Sequence, residues 1–494
     1  MANTPTSLAS VARVLRTAGL IDEIHGPEDV YVSGVSQDSR SVQNGDLFLA
    51  WYGSDWDAHD FVAPAAQAGA VAAVVERHVP EAGIPQLQVS DGRRAAALAA
   101  DVLLGSPWES LFTVGVTGTN GKTTTAMITR HLLQDSGTAV AIGTLGLVET
   151  DGSVRAGTEG LTTPGPVELS TWLAGLADAG VDSVALEASS HALEQRRLDG
   201  VRFDAVVFTN LTQDHLDYHP DMASYLTAKS HLLNLMKVGG LAVVNADADE
   251  WRTLPTEGRR TLTYGVDSPA DLRAEALETT PDGTRFRIVF DDQDAEVNLP
   301  LLGRFNVENS LAAAGVGWAA GMDVAAIGAR LETVPQIPGR LEIVATDPFS
   351  IVIDFAHTAE ALRGVLTTLR ALVPGRLIVV FGAGGDRDRG KRPEMGAVVA
   401  EGADLAVVTS DNPRTEDPES IIDDIVAGMP EASYQRHADR REAISLALTA
   451  ARDGDLVLLA GKGHESYQVI GTESRPFDER VVVQESLGRL GGAA

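Results

Sequence analysis

The chain has 494 residues, and its 69 acidic and 39 basic side chains give a formal net charge of −30. This charge disfavours non-specific binding of nucleic acid, which needs a basic face, and an anionic substrate would need a local basic pocket. The sequence has no cysteine, which excludes disulfides, thiolate-bound metals and cysteine nucleophiles. It also has no apolar run of about 18 residues and no secretory-type N-terminus, so we expect a cytoplasmic protein without membrane insertion.

The length predicts about three domains, and shifts in composition suggest their boundaries. Residues 1–108 hold short strand-like runs, such as YVSGVS (31–36) and DLFLAW (46–51), among Gly, Pro and Asp, which indicate a small α/β domain. From 109 to 338, apolar runs alternate with helical ones, with a β-rich insertion at about 261–300. Residues 339–494 repeat the α/β alternation after a Pro- and Gly-containing boundary. We therefore predict an α/β protein with a central doubly wound sheet and a Rossmann-like C-terminal domain.

A glycine-rich loop opens the central domain in the sequence TVGVTGTNGKTTT, residues 113–125. It departs from the usual G-x-x-x-x-G-K-[ST] phosphate loop, which would need glycine in place of Val116. An apolar run precedes it and helical periodicity follows, which is the context of a phosphate loop rather than of a simple glycine turn. The residues predicted to bind a nucleoside triphosphate are Gly118, Thr119, Asn120, Gly121, Lys122, Thr123 and Thr124. Lys122 would reach the β- and γ-phosphates and Thr123 would ligate Mg²⁺.

Polar residues also follow later strands of the central domain. Glu187 ends a predicted strand, where it is either a metal ligand or a capping residue. Asp214 and His215 follow the next strand and could ligate a metal or contact phosphate. Lys229 lies on a predicted helix, where an isolated lysine is usually solvated.

Further polar residues lie near or beyond the second boundary, and some of them could contact a nucleotide. Asn306 and Asn309 lie on one face at the start of a helix, where amides either bind a base or ribose or cap the helix. Arg340, at the second boundary, could reach phosphates or form a salt bridge. Asp354 and His357 follow a strand in the C-terminal domain.

The ends of successive C-terminal strands carry polar clusters in GAGGDRDRGKRP, TSDNPRTEDP and AGKGHESYQ. Strand ends of this kind meet at one edge of a parallel sheet and predict a binding site there. Arg387 and Arg414 could clamp carboxylates, and Glu465 could receive an amine. Together they predict a zwitterionic substrate.

The combined motifs resemble the Mur ligases, ATP-dependent amide-bond ligases of peptidoglycan precursor synthesis. The resemblance runs from about Gly34 to about Gln468 and rests on TGTNGKT, E-x-SSHAL, TNL-x-x-DHLDYH, Y-x-x-AK, GRFN-x-x-N, PGR-x-E and D-x-AHT. In this family the glycine loop reads TGTNGK[TS], as it does here. The branch most similar to this chain adds 2,6-diaminopimelate to UDP-N-acetylmuramoyl-L-alanyl-D-glutamate through an acyl phosphate.

The resemblance implies a role for each matching residue, with ATP and Mg²⁺ as cofactors. The catalytic set is Lys122, Glu187, His215, Lys229 and Arg340. The metal ligands are Thr123 and Glu187, with His215 and a carbamylated Lys229 at a second Mg²⁺. The nucleotide contacts beyond the loop are Asn306, Asn309, Arg340, Asp354 and His357. The residues for the UDP-muramoyl dipeptide are Ser39, Thr162, Thr163, Ser189, Gln195 and Arg197. The amino-acid site consists of Arg387, Asp411, Asn412, Pro413, Arg414, Gly461 and Glu465.

The DNPR motif bears on which amino acid is added. Diaminopimelate has a second carboxylate and ammonium, which Arg414 and Glu465 would bind. L-Lysine or L-ornithine as third residue remains an alternative, as do folylpolyglutamate-synthetase-like ligation, a phosphotransferase or ATPase, and a non-catalytic nucleotide-binding paralogue. Trp51 and Trp56 depart from the family in the uridine-binding segment. We further expect a monomer, and the net charge of −30 predicts that it binds no nucleic acid.

Overall fold

The computed structural model describes residues 5–53, 56–155, 160–215, 218–280, 282–430 and 432–491. Contacts divide the chain into two compact units. The first contains the residues up to Asp214, His219–Asp271 and Ala312–Asp323. The second contains Leu272–Leu311 and the chain from Val324 onward, together with His215 and Tyr218. The division into three domains, with boundaries after residues 108 and 338, stays a prediction.

The N-terminal part of the first unit is built around a five-stranded sheet. The strands of this part are β1 (Thr6–Ser7), β2 (Ile21–His25), β3 (Tyr31–Val32), β4 (Gly34–Ser36), β5 (Asp46–Leu49), β6 (Ala72–Val75) and β7 (Gln86–Val89). Strands β1 and β3 pair with each other in a separate two-stranded sheet. The helices of this part are α1 (Leu8–Thr17), α2 (Val62–Ala68) and α3 (Gly92–Leu103). The sheet order is β2-β7-β6-β5-β4, in which only β2 is antiparallel to its neighbour. Helix α1 buries Leu8, Val11 and Leu15, which its periodicity places on one face.

The rest of the first unit contains a mostly parallel sheet. Its strands are β8 (Phe112–Thr117), β9 (Ala139–Gly143), β10 (Gly146–Val148), β11 (Val154–Arg155), β12 (Ser183–Glu187), β13 (Phe203–Phe208), β14 (Met236–Asn245) and β15 (Arg260–Gly265). Its helices are α4 (Lys122–Leu133), α5 (Pro166–Asp178), α6 (Ser190–Glu194) and α7 (Met222–Ser230). The order β9-β12-β8-β13-β14-β15 is parallel throughout, and β10 and β11 add an antiparallel edge. The carboxyl ends of β12, β8 and β13 therefore lie side by side, where ligand sites of such sheets form.

The second unit begins with three antiparallel strands in the predicted β-rich segment. They are β16 (Leu272–Thr280), β17 (Gly283–Phe290) and β18 (Gln293–Leu299). The next helices along the chain are α8 (Arg304–Ala319) and α9 (Val324–Leu331).

A six-stranded sheet forms the remainder of the second unit. Its strands are β19 (Glu342–Ala345), β20 (Ser350–Asp354), β21 (Leu377–Phe381), β22 (Leu405–Val408), β23 (Tyr434–Arg436) and β24 (Leu456–Ala460). Strands β25 (Tyr467–Ile470) and β26 (Glu473–Pro476) form a separate hairpin. The helices are α10 (Ala359–Arg370), α11 (Lys391–Gly402), α12 (Pro418–Val426), α13 (Arg440–Ala450) and α14 (Glu479–Gly491). The order is β19-β20-β24-β21-β22-β23, and only β19 is antiparallel. Apolar clusters cover both faces, as expected for Val- and Leu-rich parallel strands.

These sheets confirm the predicted α/β class. Within the described ranges, none of the helices has the length and apolarity that crossing a bilayer requires.

Candidate active site

The glycine loop connects the end of β8 to the start of α4, as predicted. Gly118 and Gly121 have φ angles of 148° and 84°, a region that favours glycine. A Cβ atom on Gly118 would lie 1.8 Å from Thr209 Oγ1, so packing as well as conformation requires glycine there. Backbone N–H groups at the start of α4 are the ordinary means of binding phosphate.

The segment after β13 holds this loop in place. The backbone N–H of Thr119 donates to Asn210 O at 2.8 Å, and that of Asn120 donates to Asn210 Oδ1 at 2.8 Å. Thr209 Oγ1 donates to Asn120 O at 2.6 Å. Thr209 and Asn210 stand in the TNL motif, for which the sequence predicted no separate role. Their contacts indicate that the motif sets the shape of the loop.

Two lysines converge on one carbonyl oxygen of the loop. Lys122 Nζ donates to Gly118 O at 2.9 Å and to Thr119 O at 2.8 Å, and Lys229 Nζ donates to Gly118 O at 2.7 Å. Lys229 is 1% exposed, so it is not the solvated lysine that an isolated helix position suggests. Burial, followed by repulsion from Lys122, lowers the pKa of the Lys229 ammonium well below its usual range, and Asp214 acts in the opposite direction.

Tyr225 connects Lys229 to the loop. Its ring centroid lies 4.4 Å from Lys229 Nζ, and its hydroxyl lies 3.2 Å from Thr119 Oγ1. Burial raises the pKa of the Tyr225 hydroxyl, which therefore stays protonated. This tyrosine stands in the Y-x-x-AK motif and was also given no role from sequence.

Glu187 ends β12 and is 2% exposed, so it is not a surface residue. Its carboxylate accepts hydrogen bonds from Thr144 N at 2.9 Å and Thr144 Oγ1 at 3.1 Å. Gly143 faces it closely, since a Cβ there would lie 2.1 Å from Glu187 Oε1. Glu187 and Thr123 both line a small cavity between α4 and the β9–β10 hairpin.

The oxygen atoms of Thr123 and Glu187 are ligands of the kind that Mg²⁺ prefers. Among the described residues, no group of three or more His, Asp or Glu side chains converges as a preformed metal site. Few protein ligands are usual for Mg²⁺, which takes its remaining ligands from phosphates and water. The predicted ligand His215 lies in an exposed loop with φ 54°, beside residues 216 and 217, which lie outside the described part of the chain.

Five residues predicted for the UDP-muramoyl dipeptide cluster next to Glu187. Thr163 Oγ1 donates to Glu187 O at 2.6 Å and accepts from Ser189 N at 3.1 Å. Arg197 donates to Thr163 O at 3.0 Å and to Gln195 Oε1 at 2.6 Å. Thr162 joins the cluster because its hydroxyl lies 3.4 Å from that of Thr144.

The sixth residue, Ser39, lies in the turn after β4. Trp51, one of the two departures, packs against the core of the N-terminal sheet. Trp56 is 76% exposed, and its carbonyl oxygen accepts a hydrogen bond from Gly53 N at 2.9 Å. A role for either tryptophan in uridine binding stays a hypothesis.

In the second unit, three predicted nucleotide contacts surround Phe355. The guanidinium of Arg340 lies 4.5 Å from the Phe355 ring centroid, and the His357 ring lies 4.7 Å from it. Asp354 accepts hydrogen bonds from Leu341 N and Ala356 N, each at 2.7 Å. Burial raises the pKa of the Asp354 carboxyl, against the lowering effect of Arg340.

The two predicted amides of α8 are also buried. Asn306 Nδ2 donates to Leu302 O at 2.9 Å, and Asn309 Nδ2 lies 3.3 Å from Asn306 Oδ1. They form a chain of hydrogen bonds inside the second unit, and their proposed contact with a nucleotide is untested.

The predicted amino-acid residues meet beyond β21, β22 and β24. A Cβ on Gly384 would lie 3.3 Å from Arg414 Nη1 and 3.8 Å from Arg387 Cγ, so the two arginines approach the same point. Arg414 Nη1 donates to Gly385 O at 2.7 Å. Asn412 Nδ2 donates to Glu465 Oε2 at 2.9 Å.

The amino-acid region also contains buried residues next to the two arginines and Glu465. Asp411 and Pro413 are buried, and a Cβ on Gly461 would lie 2.6 Å from Asp411 Oδ2. That oxygen accepts no hydrogen bond from any described residue. Lys462, which was not predicted as a site residue, donates hydrogen bonds from its ammonium to both Asn412 and Glu465. A region with two arginines and several carboxylates is suited to a ligand that carries both charges.

Comparison with known proteins gives a consistent result. Residues 116–317 match the Mur ligase middle domain, and residues 339–463 match the Mur ligase, glutamate ligase domain. A UDP-N-acetylmuramoyl-L-alanyl-D-glutamate–2,6-diaminopimelate ligase of Gloeobacter violaceus is 44% identical over 467 residues, which cover 93% of this chain and 95% of the relative. The ligase of that name from Geobacter metallireducens is 41% identical, and the match covers 98% of both chains.

Solved structures extend the comparison to the fold. A structure of a ligase of the same name has a TM-score of 0.69 and 32% identity, covering 99% of this chain and 100% of that one. A folylpolyglutamate synthase of Mycobacterium tuberculosis complexed with ADP has a TM-score of 0.64 at 20% identity, covering 74% of this chain and 91% of that one, which shows a shared fold alone. Because the identity to the curated relatives extends over nearly the whole length of both chains, this chain belongs to the Mur ligase family.

Proposed function

We propose that the chain is an ATP-dependent ligase that adds meso-diaminopimelate to UDP-N-acetylmuramoyl-L-alanyl-D-glutamate. The observation that carries this proposal is the meeting of Arg387, Arg414, Asp411 and Glu465 at one sheet edge in a chain 44% identical to a ligase of that name. Two cations and two carboxylates match the carboxylate and ammonium groups of an amino acid with two α-amino-acid ends.

The reaction has two steps. The γ-carboxylate of the D-glutamyl residue attacks the γ-phosphate of ATP, giving an acyl phosphate and ADP. The free amine of the incoming amino acid then attacks the acyl carbon, the amide bond forms, a proton leaves the nitrogen and phosphate is expelled. Lys122 and the N–H groups of the loop bind the phosphates, and Arg340 neutralises charge that develops on them.

Magnesium would be held by Thr123 and Glu187, with a second ion held by His215 and a carbamate on Lys229. When bound, Mg²⁺ supplies positive charge that offsets the repulsion between a carboxylate and a triphosphate. Burial favours the neutral amine of Lys229, and a neutral amine can add to CO₂, forming an N–C bond and releasing a proton. None of the described carboxylates lies within 4 Å of Lys229 Nζ, so a carbamate would provide the anionic oxygen at this position.

The substrate sites follow the predicted domains. We assign 1–108 and the cluster around Thr163 to the UDP-muramoyl dipeptide, 109–338 to ATP, and 339–494 to the amino acid. The match of the glutamate ligase domain from residue 339 supports the last boundary. We further propose a cytoplasmic monomer that takes its small-molecule substrates from solution.

The test is ATP-dependent phosphate release with the UDP-muramoyl dipeptide and each of meso-diaminopimelate, L-lysine and L-ornithine. We expect release only when an amino acid is present, with the highest kcat/KM for meso-diaminopimelate. Equal release without an amino acid would contradict ligation, and a preference for lysine or ornithine would contradict only the assigned specificity. A chain carrying Lys122→Met controls for contaminating ATPase activity.

A further inference from the structure

Lys462 lies in a turn after β24 that directs its side chain inward. The flanking residues Gly461 and Gly463 have φ angles of 113° and 54°. A Cβ on Gly461 would lie 2.6 Å from Asp411 Oδ2, and one on Gly463 would lie 2.7 Å from Phe355 Cβ. Only glycine satisfies both the conformation and the packing at these positions. The Lys462 side chain between them is fully buried.

The Lys462 ammonium is bonded to two residues of the predicted amino-acid site. Its Nζ donates to Glu465 Oε2 at 2.9 Å and to Asn412 Oδ1 at 3.1 Å. Val469 N also donates to Asn412 Oδ1 at 2.9 Å, which fixes the orientation of this amide. The Tyr467 ring centroid lies 5.8 Å from Nζ. Lys462 and Asn412 therefore hold each other in one arrangement.

The two oxygens of Glu465 have different surroundings. Oε2 accepts from both Lys462 Nζ and Asn412 Nδ2, each at 2.9 Å. No residue in the described part of the chain donates to Oε1. The Glu465 side chain is 17% exposed, whereas that of Lys462 is fully buried. Oε1 is thus the oxygen left to accept a hydrogen bond from a ligand.

Stability alone does not explain a lysine at this position. A buried ion pair costs about as much in desolvation as it returns in attraction, and an apolar residue of similar size is often as stable. A carboxylate fixed through one oxygen by two donors, however, can act only with the other oxygen and in one direction. The geometry therefore favours a role for Lys462 in binding over a role in folding.

We infer that Lys462 is a positioning residue, which holds Glu465 by Oε2 so that Oε1 faces the ammonium group of the amino acid being added. This inference rests on the proposed function. Lys462 does not touch the substrate and acts through Glu465. Removing it releases Glu465 to other rotamers and weakens amino-acid binding without changing the chemistry at the γ-phosphate.

Lys462→Met preserves the volume of the side chain and removes its charge and hydrogen bonds. We expect the KM for meso-diaminopimelate to rise about tenfold or more, because charged hydrogen bonds to Glu465 are lost. The KM for ATP and kcat at saturation should stay within about twofold of the wild type. A control is Arg376→Met, which removes the Arg376–Asp455 pair at the opposite end of β24 (2.7 Å). This control should lower thermal stability and leave the KM for meso-diaminopimelate unchanged.

A double-mutant cycle tests whether Lys462 affects the KM for meso-diaminopimelate through Glu465 or independently of it. In a Glu465→Gln background, Lys462→Met should raise the KM further by no more than about twofold. Multiplicative effects of the two substitutions would overturn the inference, as would a Lys462→Met chain with lowered stability and unchanged KM. If Lys462→Met does not fold, it is replaced by Lys462→Gln, which keeps a donor at the end of a shorter side chain. The same change in the KM for meso-diaminopimelate then tests the inference. The proposed function itself would be overturned by a different result, namely that the wild-type protein releases no phosphate in response to diaminopimelate.

Discussion

The phosphate loop and the amino-acid region use their basic side chains differently. In the loop, both Lys122 and Lys229 donate to the carbonyl oxygen of Gly118, and Lys229 is buried. In the amino-acid region, Arg387 is exposed and makes no ion pair or side-chain hydrogen bond with any residue that the structure describes. Arg414 is half-buried and bonds the Gly385 carbonyl.

This difference links the phosphate loop to the reaction and the amino-acid region to the selection of the substrate. Both loop lysines are fixed by the chain before a ligand arrives, and Lys122 contributes preorganised positive charge to a step that all substrates share. We propose that the arginines of the amino-acid region contact a ligand that is chosen among similar molecules, and such contacts contribute differences in affinity. Substitutions in the first region should therefore lower kcat, and those in the second should raise one KM.

The largest effect is expected from Lys122→Met. Loss of the loop cation should lower kcat/KM for ATP by about 10³-fold or more, because charge developing on the transferred phosphoryl group loses its main side-chain partner. Phosphate release under saturating dipeptide and amino acid measures it. Thermal unfolding should stay close to that of the wild type, since Lys122 is only part-buried. A loss below tenfold would contradict a preorganised role for the loop.

Lys229→Met should separate activity from stability. We expect kcat to fall by about 10²-fold or more, because the lysine and any carbamate on it are lost. The free energy of unfolding should rise by about 1 kcal/mol near pH 7, since a buried amine is replaced by an apolar side chain of similar size. Urea unfolding in bicarbonate-free buffer measures the gain.

The stability gain of Lys229→Met should depend on pH. The pKa of Lys229 in the folded chain lies below its value in the unfolded chain, so between the two values the unfolded chain binds more protons. Wild-type stability at this site therefore rises with pH up to the unfolded pKa of about 10.4. The difference between variant and wild type should shrink between pH 7 and pH 9.5. A constant difference would show that Lys229 does not have a lowered pKa.

The third-largest effect is expected from Arg414→Ala, and it should be confined to the KM for the amino acid. The KM for meso-diaminopimelate should rise about 10- to 100-fold, because a charged, bidentate contact to the distal carboxylate is lost. The KM for ATP should not change. Arg389→Ala is a matched control, because this exposed arginine of the same region pairs with Glu416 instead (2.6 Å). An equal rise in the control would show a general loss of structure and not a specific contact.

Much of the fold could be predicted from local sequence pattern. Parallel strands buried on both faces appear as short apolar runs, which is why β8, β12 and β13 were found together with the loop that follows β8. The run YVSGVS was predicted as one strand-like segment, whereas the structure divides it into β3 and β4. These two strands pair with different partners, β1 and β5, and a choice of partner is not encoded in a run of six residues.

Residues of the candidate site could be predicted only where they stand in recognisable motifs. The loop and the arginines stand in recognisable motifs, but the burial of Lys229 depends on the packing of α7, which its sequence does not specify. Asn210 and Lys462 were missed because their partners are distant in sequence: Asn210 bonds the loop 90 positions away, and Lys462 bonds Asn412 50 positions away. Side chains that act by holding other side chains leave no periodic signal.

The smallest effect is expected from Arg387→Ala. Because this side chain is exposed, solvent and salt screen its charge, and we expect a rise of about threefold to tenfold in the KM for meso-diaminopimelate. The rise should be greatest at low ionic strength and should diminish in about 0.5 M salt, whereas the effect of Arg414→Ala should persist there. Steady-state kinetics at two salt concentrations measures both. Equal salt dependence for the two variants would remove the distinction between a screened arginine and a part-buried one, and selectivity would then depend on the net charge of the region and not on one contact.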